Sequence, residues 1–264
     1  MSTSTLSAPA PAAASHNVSE PFTRPKVVSR EQWLQQRKDL LKKERELTHL
    51  KDQINKERRE LPWVLVDQDY LFDTPSGKKT LADLFQGRNQ LFVYHFMLAP
   101  DTDPCDGCCF FVDHVDSARQ HFEHADLSFA AISRAPVAQI EQVRKRLGWN
   151  FLWASSHSNS FNYDYGVSFT PEQVASGHTD YNFGTTDYAH HDLPGVSVFA
   201  KDDKGNVYHT YSSYSRGCEN LCNTFNFLDL TPKGRNESEV MSWLKIHDEY
   251  EGAAALPEDN TCCH

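Results

Sequence analysis

Hydrophobic and polar positions divide the chain into a long charged stretch, an alternating body and two polar ends. After Ser29 no Gly or Pro interrupts the sequence until Pro62, and Trp33, Leu40, Leu47, Ile54 and Leu61 recur every seven residues. The second apolar position of the heptad is mostly polar, with Leu50 the exception. This spacing predicts one long helix carrying a single narrow apolar stripe. Ser29 followed by Gln32 is a capping-box signature for its start. Such an arm rests on the body of the domain or on a second chain, or stands as a solvated helix packed by its stripe alone.

From residue 63 the period shifts to that of an alternating α/β body. Trp63–Val66 and Tyr70–Phe72 read as short strands, Ser76-Gly77 as a turn, and Leu81–Phe85 as a short helix. Leu91–Met97 is a continuous apolar run, as in a buried central strand, with Tyr94 and His95 inside it. A helix over residues 105–124, a strand at Leu127–Ser133, a helix opened by Pro136 and running to Leu147, and a strand at Phe151–Ala154 follow. Val196–Ala200 and Val207–Ser213 form a hairpin across Asp202–Asn206, and a last helix spans Gly217 to Phe227. The resulting organisation is a disordered tail (1–25), a charged helix (26–62), an α/β domain (63–250) and a flexible Cys/His tail (251–264).

Residues 155–195 have little periodicity and are too long for a silent connector. They hold Phe161, Tyr163, Tyr165, Phe169, Tyr181, Phe183 and Tyr188 together with four histidines. Two readings follow: a binding lid, or a small core covering a sheet edge.

Composition and charge narrow the partners. The chain has 264 residues and 31 aromatics (16 Phe, 10 Tyr, 5 Trp), enough to build a real core. Its formal charge is −10, which excludes a nucleic-acid binder, because neutralising phosphates needs a basic face. Residues 30–60 hold 10 basic and 7 acidic side chains against 16 and 29 in the remainder. A basic arm clasping an acidic body, within one chain or across a homodimer, is therefore expected. No run approaches the length of a membrane span, and residues 1–23 lack the Lys, Arg and apolar core of a targeting signal, so a cytoplasmic location is expected.

Seven cysteines in three clusters do not read as an extracellular disulfide framework. Cys105-Asp106-Gly107-Cys108 lies between the central strand and the next helix. A helix N-terminus stabilises a thiolate on the first Cys, and the second can resolve the mixed disulfide that forms. Gly107 relieves crowding between the sulfurs, while Asp103 and Asp106 oppose the thiolate. The thioredoxin fold places a proline, usually cis, before its third main strand, and Leu193-Pro194-Gly195-Val196 fits that slot.

The chain resembles the thioredoxin-like family catalogued as domain of unknown function 899. The matching segments are Val28–Leu34, Leu61–Val64, Tyr94–Met97, Cys105–Cys108, Ser133–Pro136, Phe161–Tyr165, His209–Ser212 and Leu228–Arg235. The resemblance implies a thioredoxin-like fold with the helical arm and the aromatic insert as additions. Cys109 stands where the family pattern has Ser.

The leading expectation is a thiol–disulfide oxidoreductase with Cys105 as nucleophile, Cys108 as resolving thiol and Pro194 shaping the groove. Such an exchange needs a thiol or disulfide substrate, or a redox partner protein, and no cofactor. A peroxidase reading uses Cys105 with Thr102 three residues before it and Arg134 beyond the next strand, although Leu98 occupies the place of the expected proline. A copper or zinc site would take Cys105, Cys109 and His191, a C-x-x-x-C and distant His spacing similar to copper chaperones of cytochrome oxidase assembly. A third class is a non-catalytic interaction module assembled through the arm. Cys218 and Cys222 are expected as small core residues, and Cys262-Cys263-His264 as an exposed chelating or relay tail. His114 and His209 can approach the cysteines or serve structural hydrogen bonds.

Overall fold

The computed structural model describes residues 24–252. The disordered-tail reading of the N-terminus and the Cys262-Cys263-His264 tail lie almost wholly outside the described residues. The arm is a 30-residue helix, α1 (Arg30–Arg59), opened by the reciprocal Ser29–Gln32 capping box. None of its residues is buried, and Trp33, Leu40, Leu47, Ile54 and Leu61 are 44–66% exposed. The expected clasp onto the chain's own body is therefore absent along the stripe. The helix meets the body at its end, where the Arg58 guanidinium lies 4.8 Å above the Tyr211 ring.

The body is one eight-stranded sheet. Its strands are β1 (Val64–Leu65), β2 (Leu71–Thr74), β3 (Gly77–Thr80), β4 (Gln90–His95), β5 (Leu127–Ser133), β6 (Leu152–Ser155), β7 (Gly195–Lys201) and β8 (Val207–Tyr214). They lie in the order β1-β8-β7-β4-β5-β6-β2-β3. Strand β4 pairs parallel with β5 and antiparallel with β7, and β7 pairs antiparallel with β8. The segment β8-β7-β4-β5, with helices after β4 and β5 and a β7–β8 hairpin, has the order and directions of a thioredoxin fold. Strand β3, which forms a hairpin with β2, replaces the simple turn expected at Ser76-Gly77.

Period-two alternation in β4 sends Tyr94 and His95 into different cores. Tyr94 packs with Phe96, Phe111, Phe129 and Trp153. The opposite cluster holds Leu91, Val93, Ile132, Phe161 and Phe199, and the buried His95 ring stacks on Phe161 and Tyr165 there. His95 Nε2, Ser197 Oγ, Ser212 Oγ and His209 Nε2 form a hydrogen-bonded chain with links of 2.8–2.9 Å. His209 is thereby engaged within the sheet, as the structural reading expects.

Two helices expected to be continuous are broken. Residues 105–124 divide into α2 (Asp106–Asp113) and α3 (Asp116–His124), because His114 ends the first and Val115 turns into the core. His114 Nε2 bonds Thr224 at 2.8 Å, a structural role. Helix α4 (Val137–Arg146) starts from Pro136. The last expected helix is a 3₁₀ segment, Ser215–Leu221, followed after Cys222 by a short helix, Asn223–Leu228.

The insert resolves in favour of a small core. Val167, Phe169, Tyr181, Leu193 and Tyr214 bury one another, and Phe161 and Tyr165 pack under the sheet. Gly195 sits where this core meets β8: a Cβ there would lie 2.7 Å from the Tyr214 ring and 3.0 Å from Val167. No helix of the described residues is long and apolar enough to cross a membrane.

Candidate functional site: a cysteine cleft at the N-terminus of α2

Strand β4 delivers the chain to the face where α2 begins, and Cys105 is the N-cap residue of that helix, with extended backbone angles of −71° and 126°. An N-cap side chain points at the free N–H groups of the first turn. No hydrogen bond closes onto this cap side chain, but the Cys108 thiol and the Cys108 and Gly107 amides face the Cys105 sulfur. These donors outweigh burial and the adjacent Asp106 carboxylate, and bring the Cys105 thiol down to about 7. Asp106 does oppose the thiolate, as its position suggests, but loses to the donors.

Cys108 lies one turn on and is fully buried. Burial, then the adjacent Cys105 sulfur and its charge, hold its thiol well above the ordinary value. Two donors face its sulfur from β4 and beyond: the Tyr94 hydroxyl, and the Met97 amide at 3.4 Å. Tyr94 is itself fixed by stacking on Phe111, with ring centres 4.0 Å apart and planes 7° from parallel.

Both cysteines line a cleft of about 220 Å³ with mainly apolar walls, to which Tyr94, Pro194, Phe225, Val240 and Met241 contribute. The described residues contain no cis peptide, so Pro194 takes its place beside the cysteines through a trans bond. Its carbonyl accepts from the Tyr181 hydroxyl, which in turn accepts from the Ser215 amide at 3.0 Å. The insert thus touches the rim without covering the cleft. Cover comes from the C-terminal segment: Met241 Sδ and Cε lie 3.6 Å from where a Gly107 Cβ would stand. That position would be 3.8 Å from Cys105 Sγ, an ordinary contact, so Gly107 is not required to separate the sulfurs.

The segment beyond residue 228 is the part of the site that sequence reasoning missed. It is anchored by buried Leu244 and Ile246, by His247 on Asp113 at 2.8 Å, and by Arg146 on Asp248 and Glu249 at 2.8 Å. Its apolar residues, Val240, Met241, Trp243, Leu244 and Ile246, are the only signal in the sequence.

The remaining expected residues lie elsewhere. Thr102 is exposed, with its hydroxyl 3.1 Å from both the amide and the carbonyl of Ala99, and does not line the cleft. Arg134 forms a two-pronged ion pair with Asp192 at 2.7 Å and also meets Tyr163. The two groups a peroxidase reading needs beside Cys105 are thus turned to other partners. Cys109 is fully buried, its thiol pushed up by burial and by Asp113, whereas His191 is exposed on the insert. Among the described residues no group of three or more His, Cys, Asp or Glu could hold a metal ion, so Cys105, Cys109 and His191 are not brought together. Cys218 and Cys222 are buried as expected, but both also line the cleft.

No curated protein matches the chain. Among solved structures it is similar to the peroxidoxin BcpB of Mycobacterium tuberculosis, with 16% identity and a TM-score of 0.40 over 62% of this chain and 91% of that one. It is also similar to the bacterioferritin comigratory protein of Xanthomonas campestris, with 13% identity and a TM-score of 0.40 over 67% and 97%. A third is the thioredoxin peroxidase I of Plasmodium yoelii, at 16% and 0.39 over 67% and 95%. A family model described as a bacterial protein of unknown function (DUF899) matches residues 22–250, and the chain belongs to that family.

Proposed function

We propose that the protein is a thiol–disulfide oxidoreductase, with Cys105 as nucleophile and Cys108 as resolving thiol. The observation that carries this reading is the position of Cys105: half-buried at the N-cap of α2, with its thiol near 7 and its sulfur on an open cleft. The Cys105 thiolate attacks one sulfur of a substrate disulfide and forms a mixed disulfide, and the first substrate thiolate departs with the electron pair of the broken bond. Cys105 then carries no charge, so the largest local obstacle to ionising Cys108 besides burial is removed. Cys108 loses its proton, with the Tyr94 hydroxyl and Met97 amide facing the new thiolate, and attacks the Cys105 sulfur. The second substrate thiolate leaves, and a Cys105–Cys108 disulfide remains for a dithiol reductant to reopen. The apolar walls favour a substrate with an apolar group beside its disulfide. Peroxide reduction has less support, because Thr102 and Arg134 are held away from the sulfur.

The test is turnover of insulin and of glutathione disulfide. Wild type is expected to turn over, Cys105→Ser to be inactive, and Cys108→Ser to accumulate a mixed disulfide at Cys105. Free Cys105 and Cys108 after oxidation, with other cysteines modified, would overturn the reading.

A further inference from the structure

We propose that Cys218 and Cys222 form a second redox pair that reduces the Cys105–Cys108 disulfide within the same chain, an inference that rests on the exchange reaction proposed above. Of the five described cysteines, four line one cleft, and the fifth, Cys109, does not. Cys218 and Cys222, although buried, border the same opening as Cys105 and Cys108, and the Cys218 thiol donates to the Ser213 carbonyl at 3.5 Å. Cys218 lies close enough to Tyr94, whose hydroxyl faces Cys108, and to Tyr181 that its ionisation would oppose theirs, and Cys108 stands in the same relation to Tyr181. Cys218 and Cys108 therefore lie within electrostatic reach of the same two phenols.

The direction of electron flow follows from the environments. A pair whose thiolate is stabilised favours its reduced form and is the stronger oxidant. Cys105 has such a thiolate, whereas burial holds Cys218 and Cys222 as thiols, each near 12. Electrons thus run from the second pair to the first. Cys218 loses its proton and its sulfur bonds Cys105; the Cys105–Cys108 bond breaks, and Cys108 takes the electron pair and a proton. Cys222 loses its proton and attacks Cys218; the Cys105–Cys218 bond breaks and Cys105 leaves as thiolate. Cys218 and Cys222 have given two electrons and end as a disulfide, and the first pair is ready again. The second bond requires the 3₁₀ segment Ser215–Leu221 to loosen, and 3₁₀ turns are held by weaker hydrogen bonds than an α-helix.

The consequence is stoichiometric. Full-length protein, fully reduced and freed of reductant, is titrated with glutathione disulfide in a Cys262→Ala/Cys263→Ala background, so that the terminal pair supplies no electrons. About two equivalents are expected to be consumed, falling to about one in Cys218→Ala and in Cys222→Ala. Peptide mapping should find a Cys218–Cys222 disulfide in the parent and a Cys105–Cys218 link in Cys222→Ala. One equivalent consumed by the parent, with a Cys105–Cys108 disulfide formed and Cys218 and Cys222 both still alkylated as free thiols, overturns the relay alone. No consumption and no Cys105–Cys108 disulfide overturns the oxidoreductase reading as well. The parent titration decides the matter even if a substitution at these buried positions impairs folding.

Discussion

The Met97 amide donates a 3.4 Å hydrogen bond to the Cys108 sulfur, so the chain leaving β4 holds the buried member of the pair directly. Cys105, by contrast, takes its donors from the first turn of α2 and faces the cleft. One strand end and one helix end thereby give two neighbouring thiols opposite tendencies, the first to ionise and the second to stay protonated.

That contrast predicts the pH profile of modification. The rate of Cys105 alkylation by iodoacetamide should rise with a midpoint near pH 7. Cys108 should react at least ~50-fold more slowly at pH 7, as expected when about one per cent or less is thiolate against about half of Cys105. The same downward shift has a stability consequence: the contribution of Cys105 is complete above the ordinary thiol value near 9 and is lost as pH falls through 7. Equal rates at the two cysteines, read by mass spectrometry, would show that the N-cap donors do not act.

His95 gives a second pH dependence of opposite chemistry. Burial pushes its imidazole down to about 3 from an ordinary 6.5, so the folded chain binds fewer protons than the unfolded one between these values. Stability should therefore decline as pH drops from 6.5 toward 3. His95→Gln is expected to cost stability at pH 7, where the stacked ring and the Ser197 hydrogen bond are lost or altered, yet to flatten the acid limb. Denaturant midpoints measured from pH 7 to pH 4 check this, and parallel curves for the two proteins would count against it.

The Arg134–Asp192 pair separates scaffold from chemistry. Both side chains are mostly buried, and Asp192 also accepts from Ser168 at 2.6 Å. Arg134→Ala should destabilise by about 2–4 kcal/mol, since it leaves a carboxylate without its partner. Thiol exchange per folded molecule should be unchanged. A selective loss of hydroperoxide turnover in this variant, with stability intact, would instead restore the peroxidase reading.

Gly195 is fixed by close approach. Gly195→Ala should cost about 1–3 kcal/mol through overpacking against Tyr214 and Val167. Combining it with Tyr214→Phe should give no relief, because the clash is with ring carbons; Tyr214→Leu should give some. Thermal midpoints of the four proteins test the point.

The exposed stripe of α1 predicts self-association. Four apolar side chains repeat along the net-basic α1, with Leu61 just past its end, while the rest of the chain is strongly acidic, and the body of the same chain leaves them exposed. Full-length protein should be a dimer by light scattering, and a chain starting at Pro62 a monomer with a nearly unchanged thermal midpoint, since no α1 residue is buried. A monomeric full-length protein would show that the stripe is merely solvated.

Much of this was legible in the chain because it rests on local chemistry. The Ser29–Gln32 box, the buried run that became β4, the β7–β8 hairpin and the placement of Cys105 at a helix start all follow from neighbours in sequence. What escaped depends on contacts between distant segments. Met241 over Gly107 joins positions 134 residues apart, and nothing near either one announces the other. Thr102 and Arg134 had suitable spacing, but Ala99 and Asp192 hold them away from Cys105. The helix expected from Gly217 to Phe227 breaks at Cys222, and only the folded chain brings both of its cysteines to the wall of the cleft.

The Tyr181 hydroxyl bridges two segments that border the cleft, the Pro194 carbonyl and the Ser215 amide, while its ring is locked in the core of the insert. The places of Pro194 and Ser215 on the rim of the cleft are thus set from a distance. A homologue with a longer, shorter or repacked insert would admit molecules of a different girth without changing a single residue that touches them, and substrate preference would diverge by way of a segment that no inspection of the cysteines would flag.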